Sequence, residues 1–479
     1  MISATVIVHV PVVMALTVYH TLLFTVMSPQ LSAGSFPAAV APNVVEAMVL
    51  LAHNAVAFEQ LSWAFAMPVK SRTSANTSVS LMNFNSFLKY SCGQFGAGTS
   101  TGIINRKIKP GINFRVKTSG DGLAATPVNS DIVCTFADRM NKRPGDLFNI
   151  ASKLSLRKAA NAARVLGSFY YSRLTGLPRQ SGLPVSIAIE PTTSCNLRCP
   201  ECPSGLRSFT RPTGMLDKSF FEKTIDELAG HLLYLVFYFQ GEPYLNPDFL
   251  EMVKYASEKN IYTATSTNAH YLTDENARRT VESGLDRLII SIDGTTQDVY
   301  EQYRVGGTLE KVLEGTRNVI RWKKALKSKT PHTIFQYLVV RPNEHQVHDL
   351  EKIAREMGVD EVAFKTAQVY DFENGNDLIP TIDNYARYKK GEDGKWSIKN
   401  KLLNHCWKMW HSCVLTWDGT VVPCCFDKDA SHALGSLKQK SFKEIWFGEA
   451  YQAFRKNLLT SRTKIDICTN CTEGTKVWA

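Results

Sequence analysis

Residues 190–202 read EPTTSCNLRCPEC, which sets three cysteines at Cys195-x3-Cys199-x2-Cys202. Three thiolates on one short loop can hold three irons of a [4Fe–4S] cube and leave the fourth iron open. An open iron is what a cluster needs to bind a substrate directly. A structural zinc site would usually close with a fourth Cys or His, and none lies close in this stretch. The spacing alone leaves another metal open.

A second set of cysteines lies near the C-terminus. Cys406 is followed by twelve residues, Gly419, four residues and Cys424, and Cys468-x2-Cys471 completes a set of four. Four thiolates fully ligate a second [4Fe–4S] cluster, or equally a zinc ion. Cys413 and Cys425 are left over, and either can replace a neighbour, Cys425 for Cys424 in particular. The run VLTWDGTVVPCC between them reads as a hairpin turning at Asp418-Gly419. Trp407, Trp410 and Trp417 are expected to cover this site. Asp427 reads as a turn residue in preference to a proton acceptor.

Something must position the three-cysteine loop. It directly follows VSIAIE, the first of six apolar runs; LLYLVFYF, YTATST, RLIISID, TIFQYLVV and EVAFKTAQV follow. Helical patterns over 217–228, 247–259, 274–283, 296–303, 309–326 and 344–357 separate or follow them. Apolar strands alternating with amphipathic helices imply parallel βα units. Six units suit a partial α/β barrel, whose site lies at the C-terminal strand ends.

The polar motifs fall at those ends. Gly241, Glu242 and Pro243 (FQGEP) end the second strand, Ser266 to Asn268 (STN) the third, and Ser291, Asp293 and Gly294 (SIDG) the fourth. Arg304 follows in YEQYRVGG. A glycine lets backbone approach a ligand, an acceptor takes hydrogen bonds from an ammonium, and an Arg fork suits a carboxylate. Singly, each motif is more often a turn.

Over roughly 184–479 these residues resemble the radical S-adenosylmethionine (SAM) superfamily, whose core motif is C-x3-C-x2-C after the first strand. The resemblance implies that the open iron chelates SAM and that one electron then cleaves it. The 5′-deoxyadenosyl radical so formed abstracts hydrogen from substrate. It makes Cys195, Cys199 and Cys202 the catalytic cluster ligands, and Gly241, Glu242, Pro243, Ser266, Asn268, Ser291, Asp293 and Arg304 the expected SAM contacts. Two departures are visible: Gln240 replaces the first Gly of a GGEP motif, and Glu201 stands where many members carry an aromatic residue. The C-terminal module resembles the SPASM/twitch extension of peptide- and protein-modifying members. It lacks the later cysteines of a full SPASM domain, so one auxiliary cluster on Cys406, Cys424, Cys468 and Cys471 is expected.

The remaining organisation is less specific. Of 11 cysteines, nine follow residue 190 in close-set groups, which suggests metal ligation in a reducing, cytoplasmic compartment. The net charge of +11 is concentrated between residues 105 and 179, with 14 Lys/Arg against 4 Asp/Glu. No nucleic-acid motif accompanies it. Residues 1–145 read as a weakly periodic extension. Its apolar start is long enough for a membrane anchor, but a poorly ordered extension is the favoured reading. A basic helical linker over 146–182, a core over 183–385 and an α+β auxiliary-cluster domain over 400–479 follow. The leading function is hydrogen abstraction from a peptide or protein side chain, with a reducing donor such as flavodoxin or ferredoxin. Oxidation or epimerisation of a sugar or other small metabolite is the second reading, and a non-catalytic Fe–S or zinc module the third.

Overall fold

The computed structural model describes residues 144–474. The expectations for the N-terminal extension and its membrane anchor lie outside these residues, apart from Pro144 and Gly145. Among the described residues no helix is long and apolar enough to cross a membrane.

The chain enters through helices α1 (Pro144–Ser152) and α2 (Leu156–Thr175). The sequence reads as one helix here, but Ser155 interrupts it. Its extended backbone and side chain cap α2 by accepting from the Lys158 amide. Gly176, at φ 70°, ends α2 in the left-handed conformation that favours glycine. The two helices pack onto the core. Asp146, 5% exposed, bonds Tyr262 and Arg287, the first residues of β3 and β4.

Six strands then alternate with helices: β1 (Ser186–Ile189), α3 (Lys218–Leu228), β2 (Tyr234–Phe237), α4 (Phe249–Glu258), β3 (Tyr262–Thr267), α5 (Asp274–Glu282), β4 (Arg287–Ser291), α6 (Gln297–Tyr303), α7 (Leu309–Ala325), β5 (His332–Val339), α8 (Val347–Met357) and β6 (Glu361–Thr366). All six strands pair in parallel, in order. This is the expected (βα)6 arrangement. Every residue of β3 is buried, as a strand covered on both faces must be. Asp217 and Thr273 cap α3 and α5 by accepting from Phe220 and Asn276 amides.

The C-terminal module joins this sheet. After a small hairpin of β7 (Tyr388–Lys390) and β8 (Trp396–Ile398), β9 (Ser412–Leu415) pairs in parallel with β1. β10 (Thr420–Val422) and β11 (Gly435–Ser436) continue antiparallel, giving nine strands in the order β11-β10-β9-β1-β2-β3-β4-β5-β6. The β9–β10 turn uses Asp418-Gly419 as expected. Gly419 has φ +86°, and a Cβ there would lie 2.5 Å from the Phe220 ring. Helices α9 (Phe442–Phe447) and α10 (Glu449–Ser461) complete the module. Trp410, Trp446 and Tyr451 share one apolar core with the barrel strands, so the module and barrel are buried against each other.

Candidate functional site

All the expected SAM-site residues through Asp293 lie at or beyond the C-terminal ends of β1 to β4, and Arg304 follows α6. The three-cysteine loop rests on a small apolar cluster. Leu197, Tyr303, Val340, Ala367 and Val369 are buried there, with Cys195 and Cys202 packed against them. Burial chiefly raises the Cys195 thiol to about 11 and also pushes Cys199 up. Neutral thiols are favoured there unless a metal supplies the opposing charge. Each sulfur has a polar neighbour: Asn268 Nδ2 lies 3.9 Å from Cys195 Sγ, Arg304 Nη1 3.8 Å from Cys199 Sγ, and Gln240 Oε1 3.9 Å from Cys202 Sγ.

The Gly241–Pro243 loop is stitched to this loop through backbone. Glu242 N donates to Ser194 O at 2.7 Å, and Gly241 N donates to Ser204 Oγ at 2.9 Å. Gly241 has φ +75°, and a Cβ would lie 2.2 Å from Thr192 O, so only glycine fits. Pro243 opens a single 3₁₀ turn. Glu242 is 2% exposed and accepts from Thr267 Oγ1 at 2.7 Å and Asn268 N at 2.8 Å. Burial raises its carboxyl to about 7, against the pull of these bonds. Ser266 and Ser291 hydroxyls lie 3.5 Å apart on neighbouring strands.

Arg304 is not a free fork. Its Nε donates to Asp293 Oδ2 at 2.5 Å, and the fully buried Asp293 also accepts from Leu338 N at 2.6 Å. The two expected SAM contacts therefore form a pair whose Arg304 Nη1 faces Cys199. Glu201 accepts from Tyr370 N at 2.9 Å, which ties the loop to the segment after β6. Lys428 of the C-terminal module donates to Tyr370 Oη at 2.7 Å. Burial chiefly holds its ammonium below its ordinary value.

A contact that sequence reasoning missed fastens the module here. Arg211 donates to both oxygens of Glu190, at 2.8 and 2.6 Å, and its Nε donates to Lys428 O at 3.0 Å. The Arg211 side chain is 7% exposed and that of Glu190 fully buried. No local period marks a pair 21 residues apart.

In the module, Cys406, Cys468 and Cys471 are buried and Cys424 is half-buried. These thiols lie close enough to perturb one another electrostatically. Burial is the main cause that raises Cys471 to about 11. The closing loop wraps over them, with Trp407 N donating to Gly474 O at 2.8 Å. Cys413 sits apart, buried in β9 with Arg455 as its charged neighbour. Cys425 is exposed beside Cys424. Trp407 and Trp410 pack edge-on against Phe169. Trp417 instead lies over Gly214, away from its expected covering position, and donates to Pro212 O. Asp427 is 1% exposed and accepts from Ser431 and His432 amides, as a turn residue does.

Both cysteine sets have the thiolate chemistry that iron–sulfur clusters take, and among the described residues no three His, Cys, Asp or Glu side chains are grouped to hold a single metal ion. The first gathers three sulfurs against apolar side chains. The second surrounds four sulfurs with buried structure that includes Arg462, a fully buried cation. Its Nη2 donates to Cys471 Sγ at 3.3 Å, and its Nε has no partner among the described residues.

Both cysteine sets lie within segments that match known families. The model of the radical SAM superfamily matches residues 189–362, and that of SPASM, an iron–sulfur cluster-binding domain, matches residues 406–472. The tungsten-containing aldehyde ferredoxin oxidoreductase cofactor-modifying protein of Pyrococcus furiosus is 26% identical over 318 residues, covering 59% of this chain and 86% of its own. The PqqA peptide cyclase of Bradyrhizobium diazoefficiens is also 26% identical over 318 residues, covering 60% of this chain and 79% of its own. Among solved structures, Streptococcus suis SuiB bound to S-adenosylmethionine is 13% identical with a TM-score of 0.47, covering 64% of this chain and 76% of its own.

Proposed function

This chain belongs to the radical SAM superfamily and carries a C-terminal SPASM domain, and from that premise we propose that it modifies a peptide or protein side chain at the mouth of its six-stranded barrel. It is an enzyme that uses SAM and a [4Fe–4S] cluster, with auxiliary iron–sulfur binding in the SPASM domain. When bound, the reduced cluster supplies the electron that cleaves SAM to methionine and the 5′-deoxyadenosyl radical, which abstracts hydrogen from substrate.

In this reading Cys195, Cys199 and Cys202 hold the SAM cluster, and Cys406, Cys424, Cys468 and Cys471 hold the auxiliary one. Gly241 brings backbone against the three-cysteine loop, and Glu242 with Asn268 presents acceptors for the SAM ammonium. Pro243 fixes the turn behind them. Ser266 and Ser291 line the neighbouring strand ends. Asp293 orients Arg304 toward the loop. A low-potential donor of the flavodoxin or ferredoxin class would supply electrons.

The observation that carries the peptide substrate is the likeness to the PqqA peptide cyclase, which is longer than the match to the core family alone. The Pyrococcus relative, at the same identity, is a cofactor-modifying protein, and it supports the small-molecule alternative. Deuterium transfer separates the two. Reduced enzyme and SAM are incubated with side-chain-deuterated peptides, and in parallel with deuterated small metabolites. Deuterium in 5′-deoxyadenosine from a peptide supports the reading. Deuterium delivered only by a small metabolite contradicts it.

A further inference from the structure

Arg462 and Arg455 are fully buried guanidinium groups of the C-terminal module without a carboxylate partner among the described residues; Arg455 lies beside Cys413, whereas Arg462 lies among the expected cluster ligands. The Arg462 side chain forms no ion pair with Asp or Glu among the described residues. Nη1 donates to His405 O at 3.1 Å. Nη2 donates to Glu473 O at 2.8 Å and to Cys471 Sγ at 3.3 Å. Nε is buried with no partner among the described residues. Cys406, Cys468 and Cys471 all act on it electrostatically. A buried, uncompensated guanidinium is costly, and negative charge on the sulfurs around Arg462 would offset that cost.

The SAM site is arranged differently. Arg304 also approaches a cysteine, Cys199, at 3.8 Å, but Asp293 holds its Nε at 2.5 Å and offsets its charge. The auxiliary set thus faces Arg462, without a carboxylate partner among the described residues, as well as Lys408, which pairs with Glu473 at 3.6 Å, while the first set faces a guanidinium neutralised by Asp293.

We propose that Arg462 is a positioning residue that raises the reduction potential of the auxiliary cluster. This rests on the reading that Cys406, Cys424, Cys468 and Cys471 hold that cluster. Reduction adds one electron, taken from the reductant, and makes the cluster and its thiolates more negative by one charge. A guanidinium that bonds a ligating sulfur stabilises the reduced state more than the oxidised one. Hydrogen bonds to cluster sulfurs and local charge are established determinants of potential.

The test uses the full chain with Cys195, Cys199 and Cys202 changed to Ala, so that only the auxiliary cluster remains. Arg462→Gln and Arg462→Lys are made in that background. Iron is counted, and the reduced cluster is titrated by electron paramagnetic resonance against dithionite. Arg462→Gln should make the reduction equilibrium at least tenfold less favourable, a fall of about 59 mV for a one-electron couple. Arg462→Lys keeps the charge but loses the planar fork, and it should fall between the two. Where the Gln variant does not retain iron, the comparison of parent with Lys decides, and a Lys potential equal to or above the parent overturns the proposal. Loaded variants with unchanged potential overturn the role of Arg462 alone. A background protein without iron overturns the ligand assignment beneath it as well.

Discussion

The buried Glu190–Arg211 pair ties the start of the three-cysteine loop to the C-terminal module. Arg211→Met would leave a fully buried carboxylate with one remaining donor, Trp417 N at 3.3 Å. Breaking a buried pair by removing one partner costs about 3–5 kcal/mol. Unfolding entropy of about 2.1 cal/mol/K per residue, over about 330 described residues, is about 0.7 kcal/mol/K. The melting temperature should therefore fall by about 4–7 °C. The assay is thermal unfolding of the unloaded protein by circular dichroism, with Arg317→Met as control. Arg317 pairs with Glu310 on the surface, with side chains 56% and 68% exposed, where such pairs contribute little. Burial already raises the Glu190 carboxyl, and loss of Arg211 raises it further. A carboxyl raised in the fold contributes stability at low pH and loses it as pH rises through the folded value. The gap between variant and parent should thus widen from pH 5 to pH 8. Adding Glu190→Gln to Arg211→Met removes the unpaired charge and should recover part of the loss. The reasoning is refuted if Arg211→Met shifts melting no more than Arg317→Met does, or if the double variant is the less stable of the two.

Two further outcomes follow from the SAM site. Gly241→Ala forces a Cβ to within 2.2 Å of Thr192 O at φ +75°. It should weaken SAM binding at least tenfold in equilibrium dialysis, whereas Gly306→Ala, with open space at φ +79°, should keep most of it. In the proposed reading Glu242, raised to about 7 by burial, pairs its charge with the SAM ammonium only when ionised. SAM affinity should therefore weaken by up to about tenfold per pH unit below 7. Glu242→Gln should flatten that profile, and an unchanged profile in the variant would assign the titration elsewhere.

How much of this was legible depended on how local each feature is. β3 was read over the same six residues, because its Tyr and three β-branched Thr favour a strand. The three-cysteine loop and the strand-end motifs were legible because each lies within a few residues. The break at Ser155 was hidden inside a run of helix formers, although a capping serine was there to be weighed. No pattern announced that β9 would lie beside β1, since register across more than 200 residues leaves no local signal. Glu190–Arg211 and Arg462 escaped for the same reason: their meaning lies in the partners the fold brings to them.

The measurement that bears most directly on the central claim pairs iron content with SAM cleavage in two proteins. Both the full chain and its Cys195, Cys199 and Cys202 to Ala variant are reconstituted anaerobically, reduced and mixed with SAM. The parent should hold about eight irons and form 5′-deoxyadenosine, while the variant should hold about four and form none. A variant that still cleaves SAM would contradict the assignment of the catalytic cluster. A colourless variant that carries one zinc would make the C-terminal site structural.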